Sequence, residues 1–215
     1  RLSKIEAAFY GDTLEELSSA KFKDQAIALG TEQTTDDFDE FAVEALEEIA
    51  RRLGVTQAQI LAADETTVVP QGAGIHKKWL KAVARAIEAV SPLHGTLALR
   101  VLGQAHAYIR NQHIHDEVNK RVRPLFEDDE PMIVLSHSLG TIVAYSLLRE
   151  FAKNNRPRQS PLLVTLGSPL GIDSVRKGFA KPRIRPDFVE RWVNGADPED
   201  FVALRAELTN DTFGP

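Results

Sequence analysis

The chain has 215 residues, a formal charge of −5 and no cysteine. That length allows one well-filled core, so a single domain spanning 1–215 is the expectation. The composition excludes disulfides and thiol chemistry, argues against nucleic acid or an anionic membrane as partner, and points toward a cytoplasmic home. No apolar stretch reaches the roughly 18 residues of a membrane span.

In chain order, Ser3 to Phe9 reads as a strand, and the stretch from Leu14 to Leu29 fits neither period. Phe38, Phe41, Ala42, Ala45 and Ile49 recur at helical spacing, and Leu53-Gly54 is a C-cap signal. Asp39, Glu40, Glu44, Glu47 and Glu48 form the polar side of that helix and read as a solvated face. Val55 to Leu61 adds a short helix opening at Thr56. Ala62 to Gly74 is a loop; its Gly72-Ala73-Gly74 is no dinucleotide fingerprint, because no glycine follows three positions on. From His76 to Val90, a stripe of Trp79, Leu80, Val83, Ile87 and Val90 predicts an amphipathic helix with Trp79 in the core. After Ser91-Pro92, Leu93 to Ile109 and Ile114 to Phe126 read as helices, closed by Asp128-Asp129-Glu130-Pro131. The helical region 76–126 is longer than a simple crossover. It either caps a site or covers one face of a sheet.

The informative part follows. Met132-Ile133-Val134-Leu135 is an apolar run, Ser136-His137-Ser138-Leu139-Gly140 is a small-residue turn, and Thr141 to Leu148 is an apolar helical pattern. Strand, sharp turn with a central serine, then helix is the context of a nucleophile elbow. The turn lifts the serine hydroxyl above the sheet edge and aims the next N–H, that of Leu139, at the space an oxyanion would fill. The close packing of strand on helix requires small flanking residues; Ser136 stands where the usual pattern has its first glycine, and Gly140 keeps the second. The competing reading is a plain turn in which the serine is a helix N-cap. Leu162 to Leu166 is a β-rich run ending in Gly167-Ser168-Pro169-Leu170-Gly171, and Phe188 to Asn194 is a strand leading into a loop with Asp197 and Asp200. In an open parallel sheet ligands bind at the carboxyl ends of the strands, where all three loops would lie.

The elbow, the helix start Thr141-Ile142-Val143-Ala144-Tyr145, the Thr165 to Leu170 loop, and Arg191-Trp192-Val193-Asn194 with Asp197 and Asp200 together resemble the α/β-hydrolase superfamily, in its lipase and esterase branch. The resemblance covers residues 131 to 203, and Phe9-Tyr10-Gly11-Asp12 also looks like an early strand end of some bacterial members. It implies an α/β three-layer sandwich with a mostly parallel central sheet, here with additional helices before the nucleophile strand. It further implies a serine hydrolase that cleaves a small-molecule or lipid ester through an acyl-enzyme, with no cofactor and no metal. Ser138 is then the nucleophile, Leu139 an oxyanion-hole donor, and Asp200 the acid, with Asp197 as the alternative. A histidine takes the serine proton and the acid orients it. An acyltransferase or thioesterase on the same scaffold, and a hydrolase-like interaction module without catalysis, are the other readings.

The chain departs from the family order, in which the histidine follows the acid. Its six histidines are His76, His94, His106, His113, His115 and His137, all before Asp200. The only methionine is Met132, so the expectation is that the protein extends beyond this sequence at both ends. The catalytic histidine would follow Pro215, and the other oxyanion donor would precede Arg1. His94-Gly95 follows a helical run and reads poorly as an oxyanion loop. His113 and His115 fall on a helix, where positions i and i+2 point too far apart to share an ion. His137 is expected to pack beside the serine rather than act as its base.

Overall fold

The computed structural model describes residues 4–18, 36–63, 75–92, 94–127, 130–154, 159–197, 200–204, 208 and 213. The expected loop at Ala62 to Gly74 falls almost wholly outside them, since 62 and 63 are helical and 64–74 are not described.

The strand expected over Ser3 to Phe9 is not formed: residues 4–10 are irregular and Ile5 and Phe9 are exposed. Alternating apolar residues make a strand only when a neighbour completes the ladder, and none among the described residues pairs here. A helix, α1, follows over residues 11–18.

Asp36–Arg52 forms α2, with Phe41, Ala42, Ala45, Leu46 and Ile49 buried along one stripe. It stops at Gly54, whose φ of 72° is the left-handed conformation that glycine adopts without a Cβ clash. The Val55 N–H then donates back to the Ala50 carbonyl at 2.9 Å. Gln57–Ala63 (α3) opens on a reciprocal cap: Gln59 N–H donates to Thr56 Oγ1, and Thr56 N–H to Gln59 Oε1. Ile75–Val90 (α4) buries Leu80, Val83 and Ile87. His94–Arg110 (α5) and Gln112–Val122 (α6) follow, the latter capped by Asn111 Oδ1, and a 3-10 turn spans Arg123–Phe126. α4 lies against α2, α3 and α5, while α5 reaches α2, α6 and α7. A Cβ on Gly95 would stand 2.5 Å from the Ala84 carbonyl oxygen, so glycine there permits the close approach of α4 and α5.

The acidic side of α2 is not simply a solvated face. Asp39 is buried at 2% exposure. Glu47 accepts the Trp79 indole N–H at 2.6 Å, Glu48 accepts the Asp173 N–H at 2.9 Å, and Glu44 pairs with Lys177. Periodicity predicts which side is polar, but not that α4 and the later helix α8 dock on that side.

The sheet is built from Ile133–His137 (β1), Leu162–Leu166 (β2) and Trp192–Gly195 (β3), all parallel, in the order β1-β2-β3. Leu139–Lys153 (α7) connects β1 to β2; a 3-10 turn at Pro169–Gly171 and the helix Asp173–Lys177 (α8) come before β3. Ile133 pairs with Leu162 and His137 with Leu166; Leu163 pairs with Trp192 and Leu166 with Gly195. The third strand is shorter than expected: Val189 makes an isolated bridge to Ser160, and continuous pairing begins at Trp192. Val134, Ser136, Leu163 and Thr165 are buried on one face of the sheet. Ile133 and Leu135, 51% and 69% exposed, lie on the other, which the described residues leave open. The chain is therefore an α/β protein with a small parallel sheet. No described helix is long and apolar enough to cross a membrane.

Candidate functional site

The carboxyl end of β1 turns abruptly into α7. Ser138 makes that turn with φ 50° and ψ −126°, and it is the only non-glycine residue with positive φ among those described. An L-residue pays about 1–3 kcal/mol for such a conformation, which persists only where the surroundings impose it. Two sets of contacts impose it here. The Ser138 N–H donates to the Leu166 carbonyl at 2.9 Å, extending the β1–β2 ladder by one step. The Ser138 carbonyl accepts from Thr141 N–H at 3.0 Å and from Thr141 Oγ1–H at 2.7 Å. The side chain is not spent on the helix: Ser138 makes no capping hydrogen bond to α7. Ser138 therefore occupies the N-cap position of α7 without the extended backbone and engaged hydroxyl that a capping serine has.

The small residues around the turn have distinct reasons. Ser136 is buried, its Oγ–H directed to the Val164 carbonyl at 3.2 Å, and a Cβ on Gly140 would come within 4.0 Å of its Cβ. The same Gly140 Cβ would meet the Tyr10 hydroxyl at 3.1 Å. Burial pushes the Tyr10 phenol up to about 12, so it stays protonated beside the turn. Leu139 is the first residue of α7 and is buried; its N–H is one of the helix's orphan donors, free of any intrahelical acceptor.

The Gly-Ser-Pro loop after β2 is fastened to this turn. Thr141 Oγ1 and Ser168 Oγ are 2.8 Å apart, and Ser168 Oγ accepts from the Leu170 N–H. Gly167 adopts φ 54°, and its N–H donates to the Gly195 carbonyl at 3.1 Å. A Cβ at Gly167 would lie 3.0 Å from Asp200 Oδ2 and 3.2 Å from His137 Nε2. The absent side chain is thus what lets the acid loop and the residue before the elbow serine face each other.

Asp200 itself closes a tight turn. Its Oδ1 accepts from Val202 N–H at 2.8 Å and from Ala203 N–H at 3.1 Å, and its own N–H donates to the Asp197 carbonyl. Oδ2 accepts no hydrogen bond from a described residue and is the oxygen directed toward Gly167 and His137. Asp197, whose carbonyl accepts the Asp200 N–H, is exposed. The elbow, the Gly167 loop and the Asp200 turn therefore meet at the carboxyl ends of the three strands.

The histidines lie as follows. His137 is exposed on the open face of the sheet and beside Gly167. His106 pairs with Asp37 at 2.9 Å, away from the elbow. His113 is exposed on α6, whereas His115 packs on Tyr108 and contacts Ser146, Asn119 and Asp116. His94 stacks on Phe201, a partner that no local pattern announces. The side chain of His76 is outside the described residues. Among the described residues no histidine hydrogen-bonds to Ser138, and no group of three or more metal-ligating side chains is present.

Ser138, held at positive φ after β1, and the Asp200 turn, which follows β3, thus flank the Gly167 loop that ends β2, the central strand. Comparison of the chain with protein-family models, with curated proteins and with solved structures finds no significant match.

Proposed function

We propose that this chain is a serine hydrolase of the α/β-hydrolase type, a lipase- or esterase-like enzyme that cleaves a carboxylic ester. The carrying observation is the backbone of Ser138, strained at φ 50° while its hydroxyl does no capping work. Strain of this kind clusters at functional sites, where a rigid surround holds a residue poised for chemistry. In the proposed reaction Ser138 Oγ attacks the ester carbonyl carbon as an imidazole takes its proton. The oxyanion is received by the Leu139 N–H, and the alcohol leaves with the proton. Water then cleaves the acyl-enzyme by the reverse transfer. Asp200 is the acid: Oδ1 is spent on its own turn and Oδ2 is left to orient the imidazole. The three-layer sandwich, the absence of cofactor or metal, a small-molecule or lipid ester as substrate and a cytoplasmic setting belong to the same reading, the last supported by the cysteine-free composition.

One observation favours a second reading, a hydrolase-like interaction module: no described histidine hydrogen-bonds to Ser138. Hydrolysis of a p-nitrophenyl acyl ester by the native protein, compared with Ser138→Ala and Asp200→Asn, separates the two. The hydrolase reading expects activity that falls about 10³-fold or more on losing the hydroxyl. Activity unaffected by Ser138→Ala, or none at all in the native protein, overturns it.

A further inference from the structure

The turn that carries Asp200 is clamped from the helical layer. The His94 ring stacks on Phe201, the residue after Asp200, with centroids 4.4 Å apart and planes 25° from parallel. The His94 ring is itself oriented: Ser91 Oγ hydrogen-bonds to its Nδ1, and the His94 N–H donates to the Ser91 carbonyl at 3.2 Å. Those bonds tie the ring to the corner between α4 and α5, which Gly95 holds tight against Ala84. At the other end of the segment, the guanidinium of Arg52, the last residue of α2, donates to the Leu204 carbonyl. Phe201, Val202, Ala203 and Leu204 are buried between these two anchors.

We propose that His94 is a positioning residue: by stacking on Phe201 it fixes the turn in which Asp200 presents Oδ2 to the elbow. The functional half rests on the reading of Asp200 as the acid; the mechanical half does not. The physical reasoning is direct. Asp200 Oδ1 holds the Val202 and Ala203 N–H groups, so the direction of Oδ2 follows the orientation of that turn as a unit. A five-residue turn in a loop has little ordering of its own. The aromatic stack contributes about 0.5–1.5 kcal/mol beyond area burial, enough to hold one orientation. A displacement of the order of 1 Å at a catalytic group costs about 10²-fold in rate. The His94-Gly95 pair thereby acquires a role in placing the acid rather than in binding an oxyanion.

The test uses the native protein with His94→Ala, His94→Phe and Ser91→Ala. Two quantities are read: amide hydrogen exchange at Val202 and Ala203, and the rate at which a fluorophosphonate labels Ser138. His94→Ala should speed exchange at both amides about tenfold or more and slow labelling between about 10-fold and 10²-fold. His94→Phe, which keeps a flat ring over Phe201, should restore both to within about threefold. Ser91→Ala frees the ring without emptying the site and should give an intermediate increase in exchange. Parent-like exchange in His94→Ala refutes the clamp, as does a His94→Phe variant as fast-exchanging as His94→Ala. Faster exchange with unchanged labelling refutes the positioning role. A native protein that takes no probe at Ser138 would refute the hydrolase reading and with it the functional half; the exchange measurement would still decide whether His94 holds the turn.

Discussion

Replacing Ser138 by alanine and by glycine separates a strained turn residue from a helix cap by stability alone. A capping serine loses about 1 kcal/mol, and up to about 2, when its hydroxyl is removed. Ser138 makes no such bond, so Ser138→Ala should leave stability within about 0.5 kcal/mol of the parent. Alanine retains the Cβ and hence the strain of φ 50°. Glycine does not, and relief of about 1–3 kcal/mol is offset by the roughly 0.5–1 kcal/mol that glycine costs through the entropy of the unfolded chain. Ser138→Gly should therefore exceed Ser138→Ala by about 0.5–2 kcal/mol. For a domain of this size that is a rise of several degrees in Tm at about 2–4 °C per kcal/mol. Urea unfolding of the three proteins at equal m-values measures it. A loss of 1 kcal/mol or more in Ser138→Ala, or a glycine variant no more stable than the alanine variant, would refute the argument.

Other consequences can be checked alongside. Gly167→Ala places a Cβ at φ 54°, 3.0 Å from Asp200 Oδ2; it should cost about 1–2 kcal/mol for the left-handed backbone and slow probe labelling of Ser138, and labelling at the parent rate would contradict the geometry. Gly95→Ala drives a Cβ to 2.5 Å from the Ala84 carbonyl oxygen and should destabilise by about 1–3 kcal/mol through forced separation of α4 and α5; a neutral effect by urea titration would mean that the helices lie further apart. All three tyrosines, Tyr10, Tyr108 and Tyr145, are pushed up by burial, Tyr10 and Tyr145 to about 12. Because the folded protein holds these protons more tightly than the unfolded chain, the stabilisation is present below about pH 10 and is lost as pH rises through about 12. Absorbance at 295 nm should show no phenolate near pH 10 while the protein is folded, and an ordinary titration there would contradict the burial. In Trp79→Phe the Glu47 carboxylate loses its indole donor, so a loss of about 1–3 kcal/mol is expected from thermal unfolding; no loss would show that α2 and α4 pack without that bond.

Much of the fold can be read locally because its signals are local. The stripe of Leu80, Val83 and Ile87 defines α4, Gly54 ends α2, and Thr56 with Gln59 opens α3, each through bonds made within one turn. The strand-turn-helix unit around Ser138 is legible for the same reason: strand, small-residue turn and helix are contiguous from Ile133 to Lys153. What depends on distant chain is not legible. Ser3 to Phe9 has strand-like residues but no described partner, and Phe188 to Asn194 becomes a strand only where β2 lies beside it. Asp39 reads as surface by its charge, yet the packing around α2 buries it. His94 carries no pattern that links it to Phe201, because the stack joins the α4–α5 corner to the loop after β3. Gly167 could have been suspected as a turn residue, but not that its missing Cβ makes room for Asp200 and His137.

The central claim is that Ser138 is a nucleophile, and the most direct test is the intact mass of the native protein before and after a fluorophosphonate. One adduct, located by peptide mapping at Ser138 and absent in Ser138→Ala, is the predicted result. A native protein that stays unmodified, or an adduct that survives in Ser138→Ala, would contradict it.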